Sequence, residues 1–412
     1  ELANQKALEA ELKNKTQIIK SNFDSIKAPA VENDSLKQVA ENQNYIDFAN
    51  AIHGNDSISS IENEKVKVYI SNKGGQIVKV ELKEYSRSGE QTPLVLFEKD
   101  STEFSLILSA YNKAKVFKTS EFYFKPIKLN EKSLTMRLQT LQPNSYIDFI
   151  YTLNANDYIV NSGFNLVGMQ TILSSNVDDL QLNWKMLFPS QEKYIVKERQ
   201  AATVYFKQLE NKPDYINPMK DEVKELTDAD IKWVSFKQQF FNSTLIASTK
   251  FERGGSLIET SGRANTPGVV KAVRTELGVK YNHTPNEKFE YKFYFGPNHY
   301  NTLKTYNEEL EGIIPTGWSI FSYINKWMVI PLFNGLSGLN MGIVILILTI
   351  IVKVILFPIG YKTYLSGARM RVLKPEIDAL NAKFDKNADP MKKQQEQMAL
   401  YRKAGVNPLS GC

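Results

Sequence analysis

Residues 341–359, MGIVILILTIIVKVILFPI, form an apolar run broken by one charge, Lys353. No other feature constrains the fold as tightly. At about 1.5 Å per residue the run makes a helix roughly 28 Å long, close to a hydrocarbon core of about 30 Å. A backbone in lipid must satisfy its own hydrogen bonds, so the run is predicted to be a transmembrane helix over 341–360. Pro358 lies near its end, where a helix tolerates proline. Beyond it, Tyr361–Cys412 holds 10 basic residues against 5 acidic ones, which accounts for +5 of the net +6. Lysine and arginine beside an apolar helix mark the cytoplasmic side. Everything before the run then lies outside the cytoplasm, and an earlier anchor is expected to have carried it there. The remaining charge is too small and too spread for a nucleic-acid face, so no specific nucleic-acid partner is expected.

A mean hydropathy of −0.34 requires that the membrane part be a minority of the 412 residues. Residues 1–61 are polar and read as a tether. From Val66 the period changes to two: Val66, Val68 and Ile70 alternate with polar neighbours, Asn72-Lys73-Gly74-Gly75 reads as a turn, and Val78, Val80 and Leu82 alternate again. The pattern returns at Leu134, Met136 and Leu138, and at Phe289, Tyr291, Phe293 and Phe295. Many short strands predict an antiparallel β-supersandwich over 62–300. The chain's single cysteine, Cys412, leaves it without an intrachain disulfide, so cysteine usage does not identify the compartment.

After Gly296-Pro297 the sequence reads as helical, with a linker helix and then an amphipathic helix within 301–340. In GWSIFSYINKWMVIPLF, Ser319, Ser322, Asn325 and Lys326 form a narrow polar stripe among aromatics. Trp318 and Trp327 are its expected anchors at the membrane interface, where amphipathic rings settle. Beyond the span, Met370, Leu373, Ile377, Leu380 and Phe384 recur at alternating intervals of three and four, a helix-pairing seam that Pro375 is expected to kink. DKNADP reads as a turn with Asp389 as N-cap and Pro390 opening a second helix, which Gly405 ends. A cytoplasmic helical hairpin is therefore predicted over 361–406. Residues 407–412 read as the start of a further membrane segment, and the chain as a piece of a longer protein lacking its first and later transmembrane helices.

Lys353 lies six residues before the end of the apolar run, roughly 9 Å deep. A charge at mid-membrane costs on the order of 2.5–3.5 kcal/mol by insertion scales. Either its stem snorkels to the headgroups or it faces a wet cavity where it can meet a carboxylate. One residue does not decide between these. Its surroundings carry more information. GWSIFSYINKWMVIPLFNGL, the charged span, YKTYLSGARMRVLKPEI and MALYRKAGVNPLSGC together closely resemble the YidC family of membrane protein insertases. KWVSFKQQFF and FYFGPNHYNTLKTYNEELE resemble it more weakly within the β-rich part.

The resemblance implies an inner-membrane insertase and chaperone that admits hydrophobic segments of new proteins to the bilayer, alone or beside the Sec translocon. It implies a hydrophilic groove carrying a positive residue, usually arginine, which corresponds to Lys353. Lysine there keeps the charge but loses the planar donor fork. It also implies a hairpin that guides substrates, at positions including Arg369, Arg371, Lys374 and Pro375. The implied partners are nascent membrane proteins, the Sec translocon, the ribosome and membrane lipids. No catalytic residue, metal or cofactor is indicated, and no phosphate-binding loop is recognisable.

Two other classes compete. A large β-sandwich of this kind resembles mutarotase-type sugar enzymes, but paired histidines are a poor prospect, since only His53, His283 and His299 exist. A single-pass, membrane-anchored periplasmic sugar-binding or adaptor protein would leave Lys353 merely snorkelling.

Overall fold

The computed structural model describes residues 45–89, 91–110, 115–262, 266–336, 338–384 and 390–405. The described residues divide into two compact units between Ile314 and Pro315.

The first unit is built from alternation. A four-stranded antiparallel meander runs Ile58–Glu62, Val66–Ser71, Ile77–Ser86 and Pro93–Phe97. The expected hairpin is present, pairing Val66 with Leu82 and Val68 with Val80. A bulge after Tyr69 pairs Ile70 with Ile77 rather than Val78, so Ile77 and Val78 are both buried. The turn needs its glycines. Gly74 and Gly75 have φ of +83° and +61°, and a Cβ on Gly75 would lie 2.8 Å from Phe124 Cδ1.

A second hydrogen-bonded ladder of fourteen strands becomes two layers because one strand serves both. In Phe241–Gly262, residues 241–247 pair with Asn286–Pro297, whereas residues 257–262 pair with Val269–Lys280. The register shifts between Glu252 and Leu257, where the strand passes from one layer to the other. Phe104 and Trp184 of one layer meet Phe293 of the other at ring-centroid distances of 5.3 and 5.5 Å. Trp184 also stacks on Phe236 at 4.1 Å. Stacked and edge-on aromatics of this kind add to area burial and fill the inter-layer space. Of the predicted apolar faces, Leu134-Met136-Leu138 and Tyr291-Phe293-Phe295 are buried, and Phe289 is half-buried at the edge of the core. Tyr294, on the opposite face, is buried too, because that side of the strand packs on Tyr158 and Tyr306.

This unit is wider than the expected 62–300. At its start, Phe48 in the 3₁₀ turn Ile46–Ala51 is buried against Phe122, centroids 5.0 Å apart. That segment belongs to the core rather than to a polar tether, and most of the predicted tether lies outside the described residues. At the other end the expected linker helix is a single turn, Tyr300–Lys304, followed by a 3₁₀ turn, Leu310–Ile313. Asn307 and Glu309 adopt φ of +56°. Such conformations cost about 1–3 kcal/mol each and persist only where the surroundings impose them. Here the helix breaks so that Leu303, Leu310 and Ile313 can all enter the core.

The second unit is helical. Ile320–Ile324, a π turn Asn325–Val329 and Ile330–Gly335 make one irregular helix. Pro331 explains the π turn: it has no N–H to give the Trp327 carbonyl and its ring crowds that group, so the backbone widens upstream. The apolar span ends at Pro358, close to the expected residue 360, but the helix does not end with it. Met341–Ala382 is one helix of 42 residues, roughly 63 Å long, that continues through Pro358 and Pro375. Asn340 caps it, its side chain accepting from the Gly342 N–H at 2.9 Å. The partner helix is Pro390–Lys403, and Gly405, at φ +63°, ends it as expected. The Asp389 cap falls outside the described residues.

Candidate functional site

Met341–Pro358 is long and apolar enough to cross a membrane. Most of its side chains are exposed; Val344 is buried, and Ile347, Leu348, Ile351 and Val352 are half-buried. A soluble core helix would bury one face; this one offers apolar surface all round, as a lipid-facing helix does. Lys353 lies on that helix, exposed, with no ion pair or hydrogen bond among the described residues. Thr349, one turn earlier, satisfies its hydroxyl internally by donating Oγ1–H to the Ile345 carbonyl at 2.7 Å. At about 100° per residue, Thr349 and Gly360 fall within roughly 40° of Lys353, so the lysine's face also carries small and polar residues. Pro358 removes a second helical partner, leaving the Val354 carbonyl without its usual donor. A charge and an unpaired carbonyl one residue apart both call for water or a polar neighbour at that depth.

Beyond the span, the predicted seam residues Met370, Ile377, Leu380 and Phe384 are half-buried and Leu373 is buried, and Leu365, Ala368 and Asn381 are half-buried beside them. The partner helix turns Lys393, Gln397, Leu400 and Tyr401 inward, a mixed rather than apolar face. Arg369 Nη1 donates to the Gly405 carbonyl at 3.4 Å, a long bond tying the two helices. Arg371, Lys374 and Pro375 are exposed. The structure therefore brings Arg369 alone of these four to the partner helix. Trp318 and Trp327 are among the most exposed aromatics, at 76% and 78%, as surface anchors would be. Asn325 of the polar stripe donates its Nδ2–H to the Thr316 carbonyl at 2.8 Å.

The β-rich unit has a surface hollow of about 580 Å³, lined by Glu103, Lys185, Leu187, Glu259, Ala272 and Arg274 among others. Its cations are already paired: Lys185 with Glu103 at 2.7 Å and Arg274 with Glu259 at 3.0 Å. No histidine lines it. His299 bonds Thr302, and His283 packs on Tyr281. Among the described residues no group of three or more His, Cys, Asp or Glu could hold a metal ion.

Sequence reasoning missed a second polar cluster. The Trp233 Nε1–H donates to the Glu308 carbonyl at 2.8 Å, and Lys207 Nζ pairs with Glu309 at 2.9 Å. These residues join KWVSFKQQFF to the segment that leads into the membrane unit. The weak likeness of both stretches to one family was the available signal, but their contact is tertiary.

Comparison with known proteins then bears on the whole chain. The YidC periplasmic domain profile matches residues 59–331, and the 60Kd inner membrane protein profile matches residues 332–412. The chain belongs to the YidC family. It is therefore an inner-membrane protein whose β-sandwich is periplasmic. Membrane protein insertase YidC of Bacteroides fragilis is 36% identical over 89% of this chain and 59% of its own length. That of Parabacteroides distasonis is 34% identical over 97% of this chain and 63% of its own length. The chain thus spans about three-fifths of the curated relatives it matches. A crystal structure of an active YidC insertase with its first transmembrane domain resolved covers 92% of this chain and 74% of its own, at 15% identity and a TM-score of 0.30.

Proposed function

We propose that the full-length protein is a membrane protein insertase, and that Lys353 supplies the positive charge of its hydrophilic groove. The observation that carries this reading is a lone unpaired lysine within a membrane-crossing helix of a YidC-family chain. A polar tail crossing lipid faces roughly 30 Å of hydrocarbon. A wet, half-open groove shortens that path. At about 4 Å and an effective dielectric near 20, a carboxylate and an ammonium attract by about 4 kcal/mol, so Lys353 favours an acidic tail in the groove over a neutral or basic one. The greasy segment then leaves sideways into lipid, driven by burial of its apolar surface. No bond is made or broken, and the driving force requires no cofactor.

The hairpin of 361–406, with Arg369, Arg371, Lys374 and Pro375, guides nascent chains to the groove. Trp318 and Trp327 hold the preceding helix at the periplasmic interface. Nascent membrane proteins are the substrates, and the Sec translocon, the ribosome and lipids are the partners of this reading. Complementation tests it. The full-length gene restores client insertion to cells depleted of their own insertase; failure at normal expression and membrane location would end the proposal.

A further inference from the structure

Beyond the span, the long helix Met341–Ala382 carries an apolar stripe that its hairpin partner leaves open. Leu365, Ala368 and Val372 recur at intervals of three and four. With Leu373, and with Ala404 just past the partner helix, they line a hollow of about 330 Å³. Val372 is 78% exposed. Apolar side chains left open together mark a contact surface. Lipid does not reach this one. Leu365 and Val372 stand seven and fourteen residues past Pro358, where the span ends. Along the helix that is about 10 and 21 Å. The headgroup layer is only about 5–8 Å deep, and a tilt of about 20° shortens those heights only slightly. The hollow opens into water, so its occupant is polypeptide.

Charge is polarised along the same stripe. Lys362, Arg369 and Glu376 are spaced seven apart. At about 100° per residue they share one line beside Leu365, Ala368 and Val372. The two cations border the half nearer the span, and the acid closes the far end. No acid occurs from Met341 to Pro375, so Glu376 is the first along the helix. Arg402 and Lys403, in the last turn of the partner helix, add two exposed cations at the height of Arg369. Arg369 itself is exposed and tied only by the long bond from Nη1 to the Gly405 carbonyl at 3.4 Å, which leaves its remaining N–H groups to a ligand.

We infer that this hollow docks a client segment that is apolar at one end and acidic at the other, and that Lys362 and Arg369 turn its acidic end toward the span. The inference rests on the insertase reading. Lys353 lies sixteen residues before Arg369 on the same helix, about 24 Å away. A client docked in this sense holds its acids on the side from which Lys353 attracts them. Apolar contact supplies the hold, and charge supplies the direction. Exposed ion pairs are individually weak, so a rim of a few cations selects by several-fold rather than by orders of magnitude.

The test uses the full-length protein in vesicles of phosphatidylethanolamine and phosphatidylglycerol, with the photoreactive residue benzoylphenylalanine placed at Tyr361 or at Val372, both exposed. The probe is a peptide of leucine and alanine that ends in aspartates; its counterparts end in asparagines or in lysines. On illumination the Val372 position captures the leucine-alanine part and the Tyr361 position the aspartate end. The aspartate peptide is captured about threefold or more over the asparagine peptide. The double variant Lys362→Gln/Arg369→Gln abolishes that excess and leaves capture of the asparagine peptide unchanged. Should it lose the asparagine peptide too, Lys362→Gln alone decides, and an undiminished aspartate excess there overturns the role of the rim. Capture of phospholipid instead of peptide at Val372 overturns the docking site. Equal capture of all three peptides overturns recognition of acids, and capture of the aspartate end at Val372 overturns the orientation. Binding is read without insertion, so a protein that captures the peptide but inserts no client refutes the insertase reading and leaves the docking site standing.

Discussion

Burial strips a lysine of its hydration, and Lys237 shows the consequence within the sandwich. It is 6% exposed, and its ammonium reaches only the Ala201 and Gln238 carbonyls, at 3.3 and 3.4 Å. Burial pulls its pKa down to about 8. The unfolded chain, near 10.4, holds a proton between pH 8 and 10.4 that the folded chain has lost, so this lysine makes stability rise with pH across that window. Below pH 8 its full cost is present. Lys237→Met is therefore expected to stabilise the folded unit at pH 7 by about 2–3 kcal/mol and to flatten the rise toward pH 9.5, as measured by denaturant unfolding at the two pH values. Burial also raises Tyr205 and Tyr281 to about 12, which opposes the trend once unfolded tyrosines ionise near pH 10. Lys353 is the opposite case, exposed and unpaired on an apolar helix. In the full-length protein Lys353→Arg is expected to keep activity, Lys353→Glu to impair clients with acidic tails most, and Lys353→Ala to fall between. A snorkelling lysine makes alanine harmless instead. Insertion of one client with its tail acids intact, neutralised or reversed decides the matter; the same ranking of variants on all three tails would remove electrostatic capture from the mechanism.

At the scale of elements, two turns and a hairpin carry the expectations. Gly75 combines φ of +61° with a site where a Cβ would lie 2.8 Å from the Phe124 ring, inside van der Waals contact. Gly75→Ala is expected to destabilise the sandwich by about 1–3 kcal/mol through strain and crowding, seen as a lower unfolding midpoint. The helical hairpin has an apolar seam on one side and a mixed face on the other, so its two helices share little apolar contact. Deleting residues 366–404 is expected to abolish insertion while the protein stays in the membrane. Normal client insertion by that variant, with membrane location verified by fractionation, would remove the hairpin from the mechanism. The π turn shows how one residue reshapes an element: the aromatics suggested a regular amphipathic helix, and Pro331 forced the wider turn.

At the scale of the whole molecule, the β unit is bounded by its core rather than by its strands. Phe48, Leu303, Leu310 and Ile313 are all buried, yet lie outside residues 62–300. Each buried side chain of that size contributes about 1.5–3 kcal/mol, a sum comparable to the entire stability of a domain. A polypeptide of residues 45–314 is therefore expected to fold alone, with a β-rich circular dichroism spectrum and a cooperative transition. The shorter 62–300 is expected to lose that cooperativity, and equal melting of the two would show that the flanking segments are peripheral.

Much was legible in the sequence because it depends on local period. Alternation at two marked the strands, and the buried faces of Leu134–Leu138 and Tyr291–Phe295 follow from it. A run of nineteen residues with a single charge marked the span through the length of a bilayer, and the interval of three and four marked the hairpin seam. Cations beyond the run set its orientation, and the ordered membrane motifs pointed to the family. What the sequence by itself could not determine is what depends on distant partners. The crossing of Phe241–Gly262 between layers, the broken helix at Asn307 and the hydrogen bond of Trp233 to the Glu308 carbonyl depend on residues tens of positions apart, 75 in the last case. A helix-forming stretch became a strained turn there because three apolar side chains gained more from reaching the core than the backbone lost by leaving the helix.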